Sequence, residues 1–349
     1  MTTTKKVLGM ILIGIIYFVF DTLLQAGYFK TIENTTGQTA LKVYTQMTGT
    51  EDLEWDRPQN KLYISATDRR SYNLGEPNSQ DGVYLLPTDK KGATPVKMRT
   101  DFEGDFHPHG MSLFYSDSLP YLYVVNHTFE RSSVELFKIE NEFLSHLQTF
   151  TGVLLSSPND VVGDEIGKFY VTNDHGNTSA YGRAVEDYLR MPYSFVLYYD
   201  GVEFKKAHEG MVYANGVQLS NDGTQLYASH TTGHEIFILD RKKNTGALTL
   251  KKTIDLGTGL DNIDVDENNV IWVAAHAKIF DFLGHSKDSA VKSPSQFFRI
   301  NEQNGKFNVT KVYENDGNQI SGSSVVVVKN DTAFVGCVFD PMLLELKLD

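Results

Sequence analysis

The tetrapeptide Phe169-Tyr-Val-Thr172 is one copy of a strand type that occurs six times along the chain. The other copies are Leu62-Tyr-Ile-Ser65, Leu122-Tyr-Val-Val125, Leu226-Tyr-Ala-Ser229, Ile271-Trp-Val-Ala274 and Ala333-Phe-Val-Gly336. Their starts are separated by 60, 47, 57, 45 and 62 residues. A four-stranded propeller blade with variable loops repeats every 40 to 50 residues or so. The repeat therefore predicts an all-β fold, a six-bladed β-propeller.

A second short segment lies upstream of each copy, and each of these segments begins polar and turns apolar. They are Glu51-Asp-Leu53, His109-Gly-Met111, Asn159-Asp-Val161, Asn215-Gly-Val217, Asp261-Asn-Ile263 and Gly322-Ser-Ser-Val325. Turn signals such as Asn221-Asp-Gly223 separate several of the pairs and predict antiparallel hairpins. If the upstream strand is the innermost strand of each blade, the polar starts converge on one end of a central channel.

The converging side chains supply mostly oxygen atoms. They combine two carboxylates with three amides, from Glu51, Asn159, Asn215, Asp261 and Asn262. Hard oxygen ligands of this kind suit Ca²⁺, and two negative charges would balance its charge. The alternative is that these residues only cap tight turns, as Asn and Asp often do. The recurrence of such residues at matched positions in four different repeats favours the calcium site.

Two histidines lie beside this predicted site. His109 occupies the equivalent position in the second blade, and His127 ends the next strand of that blade, so antiparallel pairing would bring them together. A neutral imidazole beside a metal suggests hydrolysis, because it can take a proton from water. The alternative is two unrelated hydrogen-bonded histidines. His230 and His234 have a zinc-like spacing, but a glycine separates them and no third ligand is apparent.

Several segments in matching order carry a resemblance to a known family. They include Gly49-Thr-Glu-Asp-Leu-Glu54, Pro108-His-Gly-Met-Ser112, Val124-Val-Asn-His127, Ser133-Val-Glu-Leu-Phe-Lys138, Pro158-Asn-Asp-Val-Val162, Thr172-Asn-Asp-His175, Ala214-Asn-Gly-Val217 and Leu260-Asp-Asn-Ile263. The chain resembles the paraoxonase family of calcium-dependent lactonases and arylesterases. These are six-bladed β-propellers that retain an N-terminal hydrophobic segment, and the resemblance covers nearly the whole chain.

The resemblance implies two calcium ions and a pair of proton-handling histidines. It assigns a catalytic calcium to the residues matching Glu51, Asn159, Asn215, Asp261 and Asn262. It assigns a structural calcium to Asp52, Asp160 and the main-chain carbonyl of Met111. It assigns the proton-handling pair to His109 and His127, although alternatives in the family make a carboxylate the base or nucleophile.

The chain departs from the family in two places. The only cysteine, Cys337, cannot form the disulfide that usually joins the terminal regions, so we expect closure of the propeller by strand pairing. The segment Thr67-Asp-Arg-Arg-Ser-Tyr72 is more charged than the apolar wall expected near the substrate. Asp68, Arg69 and Arg70 could form ion pairs on a solvated rim or contact the substrate.

The N-terminus is typical of a targeting segment. Lys5 and Lys6 precede a mostly apolar stretch, residues 7–29, which would span on the order of 34 Å as a helix. We predict a signal peptide or signal anchor at 1–30, with possible membrane association through 7–29, and a propeller domain at 31–349. A buried core helix is the alternative. The prediction implies a secreted or membrane-anchored protein, as do five glycosylation triplets, at Asn34, Asn126, Asn177, Asn308 and Asn330.

The overall charge limits the choice of partner. The chain has 44 acidic and 32 basic residues, for a net charge of −12, which disfavours nucleic acid. We therefore expect a small-molecule substrate, an ester or lactone, and a calcium-dependent hydrolase that uses the histidine pair. The alternatives are a non-catalytic propeller that calcium only stabilises, and a propeller enzyme similar to strictosidine synthases or gluconolactonases.

Overall fold

The computed structural model describes residues 3–36, 38–76 and 78–348. It begins with an apolar helix, α1 (Thr3–Gln25), which is followed by strand β1 (Thr39–Tyr44). No residue of α1 is buried, and the helix is long and apolar enough to cross a membrane, with a mean hydropathy of 2.4. An N-terminal apolar helix is therefore present, as predicted.

The first three blades follow in chain order, and each is a meander of antiparallel strands. Blade 1 contains β2 (Leu53–Asp56), β3 (Lys61–Ala66), α2 (Arg69–Asn73), β4 (Gly82–Pro87) and β5 (Val96–Lys97). Blade 2 contains β6 (Arg99–Thr100), β7 (Pro108–Ser116), β8 (Leu119–His127), β9 (Ser132–Glu140) and β10 (Phe143–Phe150). Blade 3 contains β11 (Pro158–Glu165), β12 (Lys168–Asn173), α3 (Ala180–Leu189), β13 (Ser194–Tyr199) and β14 (Phe204–Met211).

The remaining blades repeat this order. Blade 4 contains β15 (Ala214–Leu219), β16 (Gln225–His230), β17 (Glu235–Lys242) and β18 (Ala247–Asp255). Blade 5 contains β19 (Gly259–Val265), β20 (Ile271–His276), α4 (Ile279–Lys287), β21 (Ser295–Gln303) and β22 (Lys306–Asn315). Blade 6 contains β23 (Ser323–Lys329), β24 (Thr332–Cys337) and β25 (Leu343–Lys347). The prediction of a six-bladed β-propeller is confirmed.

One blade differs from the expected four strands. In blade 2 the short strand β6 pairs in parallel with β10 and adds a fifth strand at the outer edge. The other five sheets have four strands each, in the part of the chain that the structure describes.

The propeller closes by pairing strands from its two termini. β1 supplies the outermost strand of blade 6 and pairs antiparallel with β25, with Thr39 opposite Lys347 and Tyr44 opposite Leu343. The hydroxyl of buried Tyr44 donates to Glu345 Oε2 at 2.8 Å. Cys337 is buried as a free thiol. Strand pairing therefore replaces a disulfide at the closure.

The core lies between the blades, where neighbouring sheets pack face to face. The described residues form six hydrophobic clusters, and each joins two adjacent blades. The first residue of each repeated strand is at most 1% exposed, namely Leu62, Leu122, Phe169, Leu226, Ile271 and Ala333. The sequence repeat therefore arises from six equivalent packing positions in the core, one in each blade.

Truncation tests the closure directly. We expect deletion of residues 1–44 to lower the free energy of unfolding by at least about 3 kcal/mol, because it removes β1 and the buried Tyr44 ring. Deletion of residues 1–30 retains β1 and is the matched control. Urea denaturation measures both proteins. Equal midpoints for the two truncated proteins would show that β1 contributes nothing to closure.

Candidate active site and metal centre

The predicted site residues lie at one end of the channel, where the innermost strands begin. Helices α2, α3 and α4 each connect the second strand of a blade to its third, so they lie at this same end. The side chains of Glu51, Asn159, Asn215, Asp261 and Asn262 are all buried. Glu51 lies just before β2, and the other four lie within the first four residues of β11, β15 and β19.

Two glycines let the innermost strands approach each other closely. A Cβ at Gly110 would lie 2.7 Å from the Asn159 carbonyl oxygen, and one at Gly216 would lie 2.7 Å from the Asn262 Cα. Real Cβ atoms do not approach backbone atoms so closely, so neither position accepts a larger residue without movement. The glycines next to His109 and Asn215 therefore bring neighbouring blades together at the site.

Hydroxyl groups fix the backbone of the site residues from neighbouring blades. The Thr172 hydroxyl donates to the carbonyl of Asn215 at 2.6 Å, and the Ser229 hydroxyl to that of Asp261 at 2.7 Å. The Ser324 hydroxyl donates to Glu51 O at 2.7 Å. Sequence reasoning did not select these residues. Thr172 and Ser229 share the fourth position of the repeated strand, a signal that could have found them.

The two carboxylates of the predicted calcium set each contact another buried polar side chain. Asn262 Nδ2 donates to Glu51 Oε1 at 2.9 Å, which joins blades 1 and 5. Asp261 Oδ2 lies 2.7 Å from His276 Nε2, and both side chains are buried. Burial raises the pKa of Glu51 to about 7, while the nearby charge of Arg69 opposes that shift. Glu51 therefore interacts with two other residues of the site: Asn262 through a hydrogen bond and Arg69 through its charge.

Four oxygens of the predicted ligand set are buried without a hydrogen-bond partner among the described residues. They are Glu51 Oε2, Asn159 Oδ1, Asn215 Oδ1 and Asn262 Oδ1. Buried oxygens of this kind are costly unless hydrogen-bonded or bound to a cation. All four belong to the set selected from the repeat, so these residues fit an oxygen-coordinated ion such as Ca²⁺.

Carboxylates and histidines alone do not form a metal cage. Within residues 3–36, 38–76 and 78–348, no group of three or more His, Cys, Asp or Glu side chains is arranged to hold a metal ion. A zinc site at His230 and His234 therefore has no support in the structure. The amide oxygens are essential to the candidate calcium site.

The residues of the second predicted site lie next to the first. Asp52 Oδ2 accepts from the Met111 amide at 2.6 Å, and Asp160 Oδ2 accepts from the Val217 amide at 2.7 Å. Burial raises the pKa of both aspartates well above their usual value. Repulsion from Asp160 adds to the shift of Asp52, and repulsion from Glu51 adds to that of Asp160. Two buried, mutually repelling carboxylates are a setting in which a cation relieves the repulsion.

The two histidines are in contact. The rings of His109 and His127 meet edge to face, with centroids 4.9 Å apart. His109 Nε2 lies 3.6 Å from Glu51 Oε1, and His127 Nδ1 lies 2.9 Å from the Ser132 hydroxyl. Burial lowers the pKa of His127 to about 4 and that of His109 well below its usual value, and the charge of Arg69 adds to both shifts. Both rings are therefore neutral at pH 7.

The structure corrects the solvated-rim interpretation for Arg69. Its side chain is only 11% exposed, and Nη2 lies 2.8 Å from His109 Nδ1. Arg70 does form an ion pair, with Asp340 at 3.1 Å, but the two side chains are only 21% and 19% exposed. Asp68 caps α2 by accepting from the Ser71 amide. Arg69, the first residue of α2, therefore points inward, and its guanidinium contacts backbone carbonyl groups beside the channel.

One glycosylation triplet is corrected as well. Asn126 is 1% exposed, accepts from the His107 amide at 2.8 Å and donates to Asp105 O at 3.0 Å. A side chain bonded in this way cannot carry a glycan. The other four triplet asparagines are exposed on the surface: Asn34, Asn177, Asn308 and Asn330.

Comparisons with known proteins agree with this architecture. A sequence model of the arylesterase family matches residues 74–346. Human serum paraoxonase/arylesterase 1 is 35% identical over 312 residues, which cover 85% of each chain. Human serum paraoxonase/lactonase 3 is 32% identical over 275 residues, covering 76% of this chain and 77% of that protein.

Solved structures show the same fold at lower identity. A calcium-binding regucalcin from Agrobacterium tumefaciens has a TM-score of 0.55 and 13% identity, covering 92% of this chain and 96% of that one. A gluconolactonase from Xanthomonas campestris also has a TM-score of 0.55, with 16% identity and the same coverage. The extent of the family match and the identity to the paraoxonases show that the chain belongs to the arylesterase family.

Proposed function

We propose that this chain is a calcium-dependent hydrolase of aryl esters and lactones, in which a histidine pair assists the attack of water. Membership of the arylesterase family makes ester hydrolysis the activity to expect. The names of its relatives include both arylesterase and lactonase. The single observation that carries the calcium requirement is the set of four buried site oxygens that have no hydrogen-bond partner in the described part of the chain.

In this proposal the metal ligands form two calcium sites. Glu51, Asn159, Asn215, Asp261 and Asn262 would hold the catalytic ion, and Asp52, Asp160 and the Met111 carbonyl the structural ion. The catalytic calcium would polarise the ester carbonyl and stabilise the oxyanion that develops there. His276 holds Asp261 in place through its 2.7 Å contact.

The histidine pair supplies the base. Arg69 has only donor groups, so His109 Nδ1 accepts its hydrogen bond and the ring proton of neutral His109 lies on Nε2. His109 therefore takes a proton from water at Nδ1 only after this hydrogen bond opens. His127 contacts the ring and serves to orient His109 or to pass its proton onward. Both rings are neutral at pH 7, which is the form that accepts a proton.

The location of the protein is part of the proposal. An exposed, apolar α1 supports a signal peptide or signal anchor at 1–30, a catalytic domain at 31–349, and a secreted or membrane-anchored enzyme. Calcium is abundant enough outside the cytosol to fill sites of moderate affinity. Four exposed glycosylation triplets fit the same location.

The experiment on the base compares two variants. We expect His109→Gln and His127→Gln each to lower kcat for phenyl acetate by at least about a hundredfold, because each removes a group that handles a proton. Calorimetric titration with calcium should still show two ions bound. Wild-type rates in both variants would contradict the role of the pair. Loss of activity together with loss of calcium would instead show that the variants damage the metal centre.

A further inference from the structure

Arg69 occupies a position in the site that the proposed mechanism does not explain. It begins α2, yet its side chain turns away from solvent into the channel mouth. Nη1 lies within hydrogen-bond distance of three carbonyl oxygens, at 3.2 Å from Gly49, 3.4 Å from Thr67 and 3.3 Å from Val338. Nη2 contacts His109 Nδ1 at 2.8 Å. The guanidinium is therefore positioned against a proposed catalytic group by several hydrogen bonds.

The backbone around Arg69 is shaped to hold it. Gly49 has φ +64, a conformation that side-chain-bearing residues rarely adopt. A Cβ at Gly49 would lie 2.7 Å from the Val338 carbonyl oxygen and 3.0 Å from Arg69 Nη1. A larger residue at position 49 would therefore displace the carbonyl groups that receive the guanidinium.

Among the residues that the structure describes, no carboxylate makes a direct hydrogen bond to the charged group of Arg69. The nearest one, Glu51 Oε2, lies 3.9 Å from Nη2. Asp261 and Asp81 also act on Arg69 through space, but each is paired with a histidine, His276 at 2.7 Å and His107 at 2.8 Å. Glu51 itself accepts from Asn262. Asp261 and Asp81 are thus engaged by histidines, and Glu51 is engaged through only one of its two oxygens.

Part of the guanidinium has no hydrogen-bond partner within residues 3–36, 38–76 and 78–348. Of its five N–H groups, those on Nη1 face carbonyls and one on Nη2 faces His109. Nε and the second Nη2 hydrogen make no hydrogen bond to any residue that the structure describes. A planar guanidinium with donors available on one edge is the group best suited to bind a carboxylate.

We propose that Arg69 recognises a carboxylate on the substrate, so that the enzyme prefers esters and lactones with an anionic acyl chain. This inference rests on the proposed function and adds the substrate class to it. Because Arg69 touches His109, the recognised carboxylate must lie only a few bonds from the scissile carbonyl. A short dicarboxylic half-ester, such as monophenyl succinate, meets this requirement.

The test compares two substrates that differ in this charge. Monophenyl succinate carries the carboxylate, and phenyl butyrate is its neutral counterpart. We expect Arg69→Met to lower kcat/KM for monophenyl succinate at least about tenfold more than for phenyl butyrate, the factor that one charge-assisted hydrogen bond provides. Arg69→Lys should retain part of the preference. Arg299→Met removes the same charge from an exposed position in blade 5 and should leave the ratio unchanged.

A binding measurement separates recognition from hydrolysis. Succinanilic acid and butyranilide are the amide counterparts of the two esters, and calorimetry measures their affinity for the wild-type protein and Arg69→Met. We expect only succinanilic acid to lose affinity in the variant. If neither ester is hydrolysed but succinanilic acid binds through Arg69, the proposed function fails and the recognition stands.

Three results would overturn the inference. An equal loss of kcat/KM for both esters would show that Arg69 acts on His109 or on the reaction itself rather than on the substrate charge. An unchanged ratio with unchanged rates would show that Arg69 has no role in either. Failure of succinanilic acid to bind more tightly to the wild-type protein than to Arg69→Met would exclude a carboxylate site.

Discussion

Removal of divalent ions by a chelator is expected to lower the Tm of the protein by roughly 10 °C at pH 8. Asp52 and Asp160 are buried together, and burial raises the pKa of both. At calcium about a hundredfold above Kd, each bound ion stabilises the folded state by about 2.7 kcal/mol, and two ions by about twice that. A loss of this size corresponds to roughly ten degrees in a domain of this length.

The same aspartates determine how the effect varies with pH. Their pKa values in the folded, calcium-free protein lie above those in the unfolded chain, so the folded state binds more protons in between. Stability of the calcium-free protein therefore falls as pH rises from about 4 through the raised pKa values. The proposed calcium would bind the deprotonated carboxylates, so it would stabilise the folded state more at high pH. We expect the chelator to lower the Tm more at pH 8 than at pH 5.

A matched variant identifies the site responsible. Asp52→Asn removes one of the two repelling charges, so the calcium-free variant should depend less on pH than the calcium-free wild type. Its Tm should also respond less to calcium. Thermal unfolding with and without chelator, at both pH values, measures these effects. The same Tm with and without chelator at pH 8 would be incompatible with a stabilising ion between Asp52 and Asp160.

The repeat made most of the fold predictable from sequence. Each blade must bury one strand between two neighbouring sheets, so an apolar first residue followed by an aromatic one recurs wherever that strand occurs. The polar residues at the starts of the innermost strands could be aligned as well, because each start lies upstream of one copy of the repeated strand. Alignment placed Glu51, Asn159 and Asn215 at one end of the channel without any knowledge of their contacts.

Contacts that depend on side-chain direction could not be predicted in this way. Arg69 follows a repeated strand in a charged segment, and charge alone suggests a solvated position. Its burial depends on the Gly49, Thr67 and Val338 carbonyls, and the last of these comes from the opposite end of the chain. The repeat also did not single out the pair Asp261 and His276, although they lie on the paired strands β19 and β20, where Gly259 is opposite His276.

Replacement of Glu51 by Gln is expected to lower kcat/KM for phenyl acetate by at least about a thousandfold. The Glu51 carboxylate contacts Asn262, lies 3.6 Å from His109 and 3.9 Å from Arg69, and has an unpartnered oxygen among the described residues. Gln removes half of the negative charge that the proposed catalytic calcium requires. It also leaves the buried positive charge of Arg69 without its nearest carboxylate. Removing one of two opposite charges in a buried site is costly.

The calcium stoichiometry shows whether this loss is local. Glu51→Gln should bind one ion instead of two in calorimetry, because Asp52 and Asp160 remain, and calcium should still raise its Tm. Glu135→Gln is the matched control, since Glu135 is 1% exposed and bonds Ser133 and Thr149 in the outer part of blade 2. That control should lose stability but keep kcat/KM within about twofold, because Glu135 lies outside the channel. Two bound ions and wild-type kcat/KM in Glu51→Gln would remove this carboxylate from the metal centre, and the charge of Arg69 would then have to be balanced by another group.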